Sequence, residues 1–275
     1  MNNEIKEKLA LSLTAETTEL LPFLPYLLQD FWELGSSPQQ IISLIKKHIP
    51  LNSNLRILDL ACGKGAVSIH IAKALNIKVD GYDLLPEFIE YATQKAIEHG
   101  VDDLCSFYVA DINEIVFTAP GYDCVIFGAA GNVLGNPLET LCKLKQTIKP
   151  NGFIIIDESY IPDGCNNETM LYQNYEYLLR HEWLNLFQEC NLELIEEIIS
   201  DSDEYDTEKE MTAIIKRANE LTVVHPNHKE LFDSYVQSQR NEYSDIEQSL
   251  MNATWILRWE LSKECVIYIP PQENT

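Results

Sequence analysis

Asp59, Gly63 and Gly65 stand in the stretch Leu55 to Gly65, LRILDLACGKG, and their spacing limits the chemistry this chain can support. An apolar run from Ile57 to Leu60 carries Asp59 near its end. It breaks through Ala61 and Cys62 into the two glycines, then resumes at helical spacing through Val67, Ile71 and Leu75. That pattern predicts a buried strand, a glycine turn and a helix. Two glycines let the backbone reverse without Cβ clashes and let a ligand lie against the main chain, while free amides at the helix start attract negative charge. A small anionic or zwitterionic ligand fits such a turn. A dinucleotide fingerprint needs a third glycine where Ser68 stands, so a pyrophosphate loop is the poorer match.

The string resembles the first motif of the class I S-adenosylmethionine-dependent methyltransferases, D-x-G-x-G-x-G, through Asp59, Ala61, Gly63 and Gly65, with Ala61 in place of the first glycine. Later landmarks fall where that family would put them. Asp83, followed by Leu84, lies 18 residues after Gly65 at the end of a second apolar run. An acid about 20 positions beyond a glycine turn is placed to accept hydrogen bonds from both ribose hydroxyls, and the competing use of Asp83 is a turn or helix-cap aspartate. YVADINEI puts Asp111 and Ile112 after a third run, where the resemblance implies a carboxylate for the adenine amino group and an apolar neighbour against the ring. GAAGNVLGNP, from Gly128, resembles the small-residue loop whose carbonyls reach the donor's amino group. The resemblance thus implies S-adenosylmethionine as cofactor and the full set Asp59, Ala61, Cys62, Gly63, Gly65, Asp83, Leu84, Asp111, Ile112 and Gly128 as its binding residues.

Four alternations of strand and helix position these residues. Strands are predicted at 57–60, 77–82, 106–110, 122–127 and 153–157, with helices between them. Alternation of this kind means a parallel sheet covered on both faces, with ligands bound beyond the strands' carboxyl ends. The fold expected is α/β, a Rossmann-like doubly wound, mostly parallel seven-stranded sheet with N-terminal helices and a helical insertion before the last strand. Residues 1–50 read as a helical segment or lid and 51–204 as the core. Residues 205–250 read as the insertion, a possible substrate cap, and 251–275 as the element completing the sheet. Within 1–50, Pro22 and Pro25 break the helices, Ser37 and Gln40 form a capping-box start, and Tyr26, Phe31 and Trp32 either close the pocket or pack on the sheet. Leu171 to Cys190 shows a helical stripe. Residues 246–261 keep helical spacing although TWILRW also has strand propensity, and CVIYI at 265–269 reads as the final strand.

Composition bounds the partners. The net charge is −23 and no basic patch is visible, which argues against nucleic acid and permits a cationic or neutral small substrate. No apolar stretch reaches membrane-span length, and the N-terminus lacks a leader-like cleavage site, so a cytoplasmic protein without membrane contact is expected. Seven cysteines without a C-x-x-C pair read as reduced core thiols. Oligomeric state is not legible.

Methyl transfer from an activated donor needs positioning more than a triad, and no triad is present. A proton acceptor, where one is needed, could come from His181, Tyr160, Glu158 or Asp157, though lone polar residues are usually structural. His225 and His228 beside Pro226 are better read as a solvated helix start than as metal ligands, so no metal is expected. A ring of Tyr172, Tyr175 or Tyr177 could hold a cation, but Tyr175 falls in the helical stripe and the other two read as exposed. A non-catalytic binder of the same nucleoside is the alternative function, and a nicotinamide-dependent oxidoreductase a weaker one.

Overall fold

The computed structural model describes residues 3–162, 164–165, 167–200 and 207–260. Seven strands form one sheet: β1 (Arg56–Leu60), β2 (Lys78–Asp83), β3 (Cys105–Val109), β4 (Tyr122–Gly128), β5 (Ile148–Tyr160), β6 (Leu192–Ile199) and β7 (Met251–Trp259), in the order β3-β2-β1-β4-β5-β7-β6. The first five run parallel, and β7 inserts antiparallel between β5 and β6. The chain winds outward from β1 to β3, then returns to start β4 on the other side of β1. That switch point opens a crevice at the strands' carboxyl ends.

Period-two alternation buries both faces. Leu58, Leu60, Val125, Phe127, Ile154, Ile156, Trp255 and Leu257 enter one core, while Ile57, Cys124, Ile126, Ile155 and Ile256 enter the other. The first face is covered by α6 (Ile112–Thr118), α7 (Pro137–Thr147) and α8 (Arg180–Glu189). The second is covered by α3 (Pro38–His48), α4 (Ala66–Leu75) and α5 (Pro86–His99). Caps fix the helix starts. Asn136 and Glu139 close a reciprocal capping box on α7, with Pro137 in its first turn. Ser37 caps α3, but the Gln40 amide turns inward, donating to Ser200 Oγ at 3.1 Å and accepting from Thr254 Oγ1 at 3.0 Å.

A second, helical body stands over the strand ends. It joins α1 (Asn3–Ser12), the 3-10 turn Thr18–Phe23 and α2 (Leu24–Leu27) to the hairpin of α9 (Thr207–Val224) and α10 (Lys229–Gln248). Ala10, Leu20, Leu24 and Leu27 share a core with Ile214, Leu221, Phe232 and Tyr235. The N-terminal segment and the insertion between β6 and β7 therefore pack on each other, whereas α3 and Trp32 pack on the core beneath the sheet.

Two expectations are corrected. The stripe at 171–190 is helical only from Arg180, because residues 171–179 are pinned as a loop. Backbone N–H groups of Leu171 and Tyr172 donate to the buried Asp245 carboxylate at 2.7–2.9 Å, and the Asn167 amide bonds the Tyr177 backbone in both directions. TWILRW is strand, since Thr254, Trp255, Ile256 and Leu257 pair with both β5 and β6. CVIYI lies outside the described residues. Six described cysteines are free, with Cys105, Cys124 and Cys190 buried, Cys62 half-buried, and Cys142 and Cys165 exposed.

Asp245→Ala removes the acceptor of two loop amides, the one on Tyr172 buried, and is expected to destabilise the protein by about 2–3 kcal/mol. Limited proteolysis is expected to open first within residues 167–179. Thermal unfolding and mapping of the first cleavage check both, and unchanged cleavage sites would contradict the assignment.

Candidate functional site

Register aligns the strand ends. Leu60 pairs with both Tyr82 and Phe127, Asp83 with Val109, and Gly128 with Asp157. The loops that follow converge on a cleft of about 680 Å³.

After β1 the chain turns through three left-handed residues, Ala61 (φ 57°), Gly63 (φ 52°) and Gly65 (φ 74°). For Ala61 this conformation costs about 1–3 kcal/mol, offset by the surrounding loop. That loop is bonded to the next strand: Cys62 N–H donates to the Tyr82 carbonyl at 3.0 Å and Gly63 N–H to Asp83 Oδ2 at 2.9 Å. Leu85 N–H donates to the other oxygen of Asp83, also at 2.9 Å. Burial nonetheless pushes the Asp83 carboxyl above its ordinary value, with these amides working in the opposite direction. Asp111 caps α6, its Oδ1 accepting from Asn113 N–H at 2.9 Å. Gly128 is required by packing, since a Cβ there would lie 2.2 Å from Ser36 Oγ. That hydroxyl is buried without a hydrogen-bond partner among the described residues.

Of the residues predicted to touch a ligand, Ala61, Gly63, Asp83, Leu84, Asp111, Ile112 and Gly128 line the cleft. Asp59, Cys62 and Gly65 lie behind it. Side-chain alternation along β1 sends Asp59 to the α4 face, where Ser68 Oγ donates to it at 2.5 Å, and burial raises its pKa to about 7. Ser68, the residue that departs from the dinucleotide fingerprint, is thus a structural partner of Asp59. The Cys62 side chain lies toward Gly81, and Gly65 is closed in by Ala92 and Phe107.

The sequence reading made residues 1–50 a helical segment or lid but named no residue of α1 for the cleft. Ile5, Lys8, Leu9, Ser12 and the following Leu13 form the roof of the cleft. The i, i+4 spacing of Ile5 and Leu9, continued at Ser12 and Leu13, was the available signal. Among the aromatic lid candidates, Tyr26 is 39% exposed and bonds Glu220. Trp32 Nε1 donates to the Lys64 carbonyl at 3.1 Å, and Phe31 lines a neighbouring cavity. Lys64 locks this arrangement. Its buried ammonium donates to the carbonyls of Leu28 and Phe31 at 2.5 Å each, and desolvation lowers its pKa to about 8.

The neighbouring cavity, about 1960 Å³ with its solvent-open mouth included, meets the cleft at Ser12, Leu13, Leu34 and Ala129. Asp157 and Glu158 line it, as do Tyr172, Tyr175 and Tyr177. Tyr172 and Tyr177 are only 3% and 5% exposed, which corrects the expectation that they face solvent. Two other proton-acceptor candidates are elsewhere: Tyr160 is stacked on Trp255 in the core, and His181 is exposed at the start of α8. His225 and His228 flank the Phe23 ring. Among the described residues, no group of three or more His, Cys, Asp or Glu side chains is placed to hold a metal, and no helix is long and apolar enough to cross a membrane.

Residues 51–259 match the methyltransferase domain family. A ubiquinone biosynthesis O-methyltransferase from Rickettsia canadensis is 35% identical over 118 residues, 43% of this chain and 48% of that protein. A sterol 4-C-methyltransferase from Caenorhabditis elegans is 26% identical over 114 residues, 41% of this chain and 34% of that protein. The matched stretches thus span less than half of these curated relatives. Relatives named for RNA and for protein N-termini also match. A S-adenosylmethionine-dependent methyltransferase from Geobacter sulfurreducens, solved with S-adenosylhomocysteine, superposes with a TM-score of 0.71 at 19% identity, over 86% of this chain and 97% of that one.

The Asp59 carboxyl, raised from 3.8 to about 7, binds a proton in the folded state that the unfolded chain has already released. Its stabilising contribution is full below about pH 4 and lost as pH rises through about 7. Asp59→Asn is expected to flatten that part of the stability profile. Chemical denaturation of both proteins between pH 4 and 8 checks this, and parallel profiles would contradict it.

Proposed function

The chain belongs to the methyltransferase domain family, and we propose that it transfers a methyl group from S-adenosylmethionine to a small-molecule acceptor. The observation that carries this reading is the donor set of the smaller cleft. Two carboxylates, Asp83 and Asp111, stand on neighbouring strand ends to one side of the glycine turn, with the Gly128 loop on the other. Carboxylates accept from hydroxyls and amines, which matches a ribose and an exocyclic adenine amine. Leu84, Ile112, Phe88 and Val133 supply apolar surface for the ring.

In this assignment Asp83 takes the ribose hydroxyls and Asp111 the adenine amine. Leu84 and Ile112 flank the ring. The backbone of Ala61 and Gly63, with the Gly128 loop, holds the amino-acid end beside the unpartnered Ser36 hydroxyl. Asp59, Cys62 and Gly65 shape the turn from behind. When bound, S-adenosylmethionine supplies a methyl group already activated on a sulfonium. The protein's own part is to align the acceptor and exclude water, and alignment alone can contribute several kcal/mol of rate acceleration. The α1 roof and the Lys64 lock serve that exclusion, so we assign Asn3–Leu27 and Thr207–Gln248 as one cap over a core formed by the rest.

The acceptor meets the methyl group in the larger cavity. A net charge of −23 favours a small molecule over RNA, and the free thiols favour a reducing compartment, the cytoplasm. Thermal shift with S-adenosylmethionine, S-adenosylhomocysteine and NADH tests the cofactor, because a ligand of the native state raises the melting point. Stabilisation by the first two and not by NADH is expected, followed by label transfer from methyl-labelled donor. Stabilisation by NADH alone would move the protein to the oxidoreductases, and binding without transfer to any acceptor would make it a binder.

Asp83→Ala is expected to lower S-adenosylhomocysteine affinity about 100-fold, the loss of two hydrogen bonds to a charged group. Calorimetric titration with circular dichroism as a folding control checks this, and unchanged affinity would remove the ribose assignment.

A further inference from the structure

The larger cavity has a chemistry of its own. Its contact with the cleft at Ser12, Leu13, Leu34 and Ala129 puts it where an acceptor must lie if the donor reading above holds. Its walls present tyrosines and carboxylates, and among the described residues no lysine, arginine or histidine lines it. The rings of Tyr175 and Tyr177 have centroids 4.8 Å apart and planes inclined at 67°, two aromatic faces set edge to face on the cavity wall. Such faces attract cations. Tyr175 also abuts the loop after β4, since a Cβ on Gly131 would lie 3.5 Å from its ring.

Glu158, on β5, accepts from Ser159 N–H at 3.0 Å and from the Tyr175 hydroxyl. Glu242, on α10, accepts from Thr14 Oγ1 at 2.5 Å. All three donors are neutral. Burial pushes Glu158 up to about 7, with Asp157 and Glu242 repelling its charge, and burial also raises Glu242. Carboxyl groups buried together without a cation are costly, and a bound cation removes that cost.

We propose that the larger cavity takes an amine acceptor, held as its ammonium between the Tyr175–Tyr177 pair and the carboxylates of Glu158 and Glu242, and that Glu158 removes the proton that masks the nitrogen lone pair. The acceptor R–NH₃⁺ gives one proton to the Glu158 carboxylate and becomes R–NH₂. The freed lone pair forms the new N–C bond while the methyl–sulfur bond breaks, its electrons remaining on sulfur. The products are a methylated ammonium and a thioether, and the proton on Glu158 leaves to solvent. The groups facing Glu158 are Asp157 on its own strand, Tyr175 and Tyr177 from the loop and Glu242 from α10. Tyrosines stay neutral in the working range, so kcat/KM, which reports the free protein, rises with pH as Glu158 ionises around 7.

The test is calorimetric titration of S-adenosylhomocysteine-saturated protein with ethanolamine and benzylamine, each against a neutral counterpart: ethylene glycol and benzyl alcohol. At least one amine is expected to bind tenfold or more tightly than its counterpart. Glu158→Gln is expected to remove about tenfold of that preference and to abolish the rise of amine methylation through pH 7, while leaving S-adenosylhomocysteine binding intact. Absence of amine preference in every pair, with S-adenosylhomocysteine still bound, overturns this inference alone. Failure to bind S-adenosylhomocysteine overturns the donor reading and this inference with it.

Discussion

The buried carboxylate of Asp83 ties the ends of β1 and β2 together. One oxygen accepts the Gly63 amide from the turn after β1, the other accepts the Leu85 amide at the start of α5, and the Cys62 amide reaches back to the Tyr82 carbonyl. These bonds hold three left-handed residues in succession at alternate positions, including an alanine whose conformation is costly. Without them the turn would have no fixed path, and the cleft it borders would have no floor. The same carboxylate faces the cleft, so one side chain both shapes the site and supplies its acceptor.

The turn also carries the cap. Lys64, between the two glycines, buries its ammonium against the carbonyls of Leu28 and Phe31, while its own carbonyl takes the Trp32 indole N–H. Burying a cation without a carboxylate partner is unfavourable, and the lowered pKa records that cost. Arg217 adds a bidentate bond to Asp30, joining the insertion to the same N-terminal segment. Strand ends, glycine turn, N-terminal segment and insertion therefore form one chain of contacts.

The sheet was legible because both of its faces are buried. Continuous apolar runs ending in Asp59, Asp83 and Asp111 mark strands and strand ends with little ambiguity, and most of the resembling motif residues reach the cleft. Asp59 is ranked by the motif with the ligand contacts, while period-two alternation sends its side chain to α4 and Ser68. The loop at 171–179 was misread because its apolar residues fall by chance at helical spacing. The contacts that hold it straight come from Asp245 and Asn167, one of them more than seventy residues away. The roof residues went unnamed within the expected N-terminal lid because α1 is short and weakly amphipathic, and its packing partner α9–α10 lies two hundred residues along the chain. The tyrosine-lined cavity is assembled from loop, strand and insertion, so no local pattern announces it.

The central claim is that the carboxyl edge of β1, β2, β3 and β4 holds a sulfur-bearing nucleoside beneath α1. A crystal structure of the protein with S-adenosylhomocysteine tests it most directly. The account predicts the ribose hydroxyls on Asp83, the adenine amine at Asp111 and the sulfur directed toward Ala129 and the tyrosine-lined cavity. Density for the nucleoside at any other edge of the sheet, or none at this edge under saturating ligand, would contradict it.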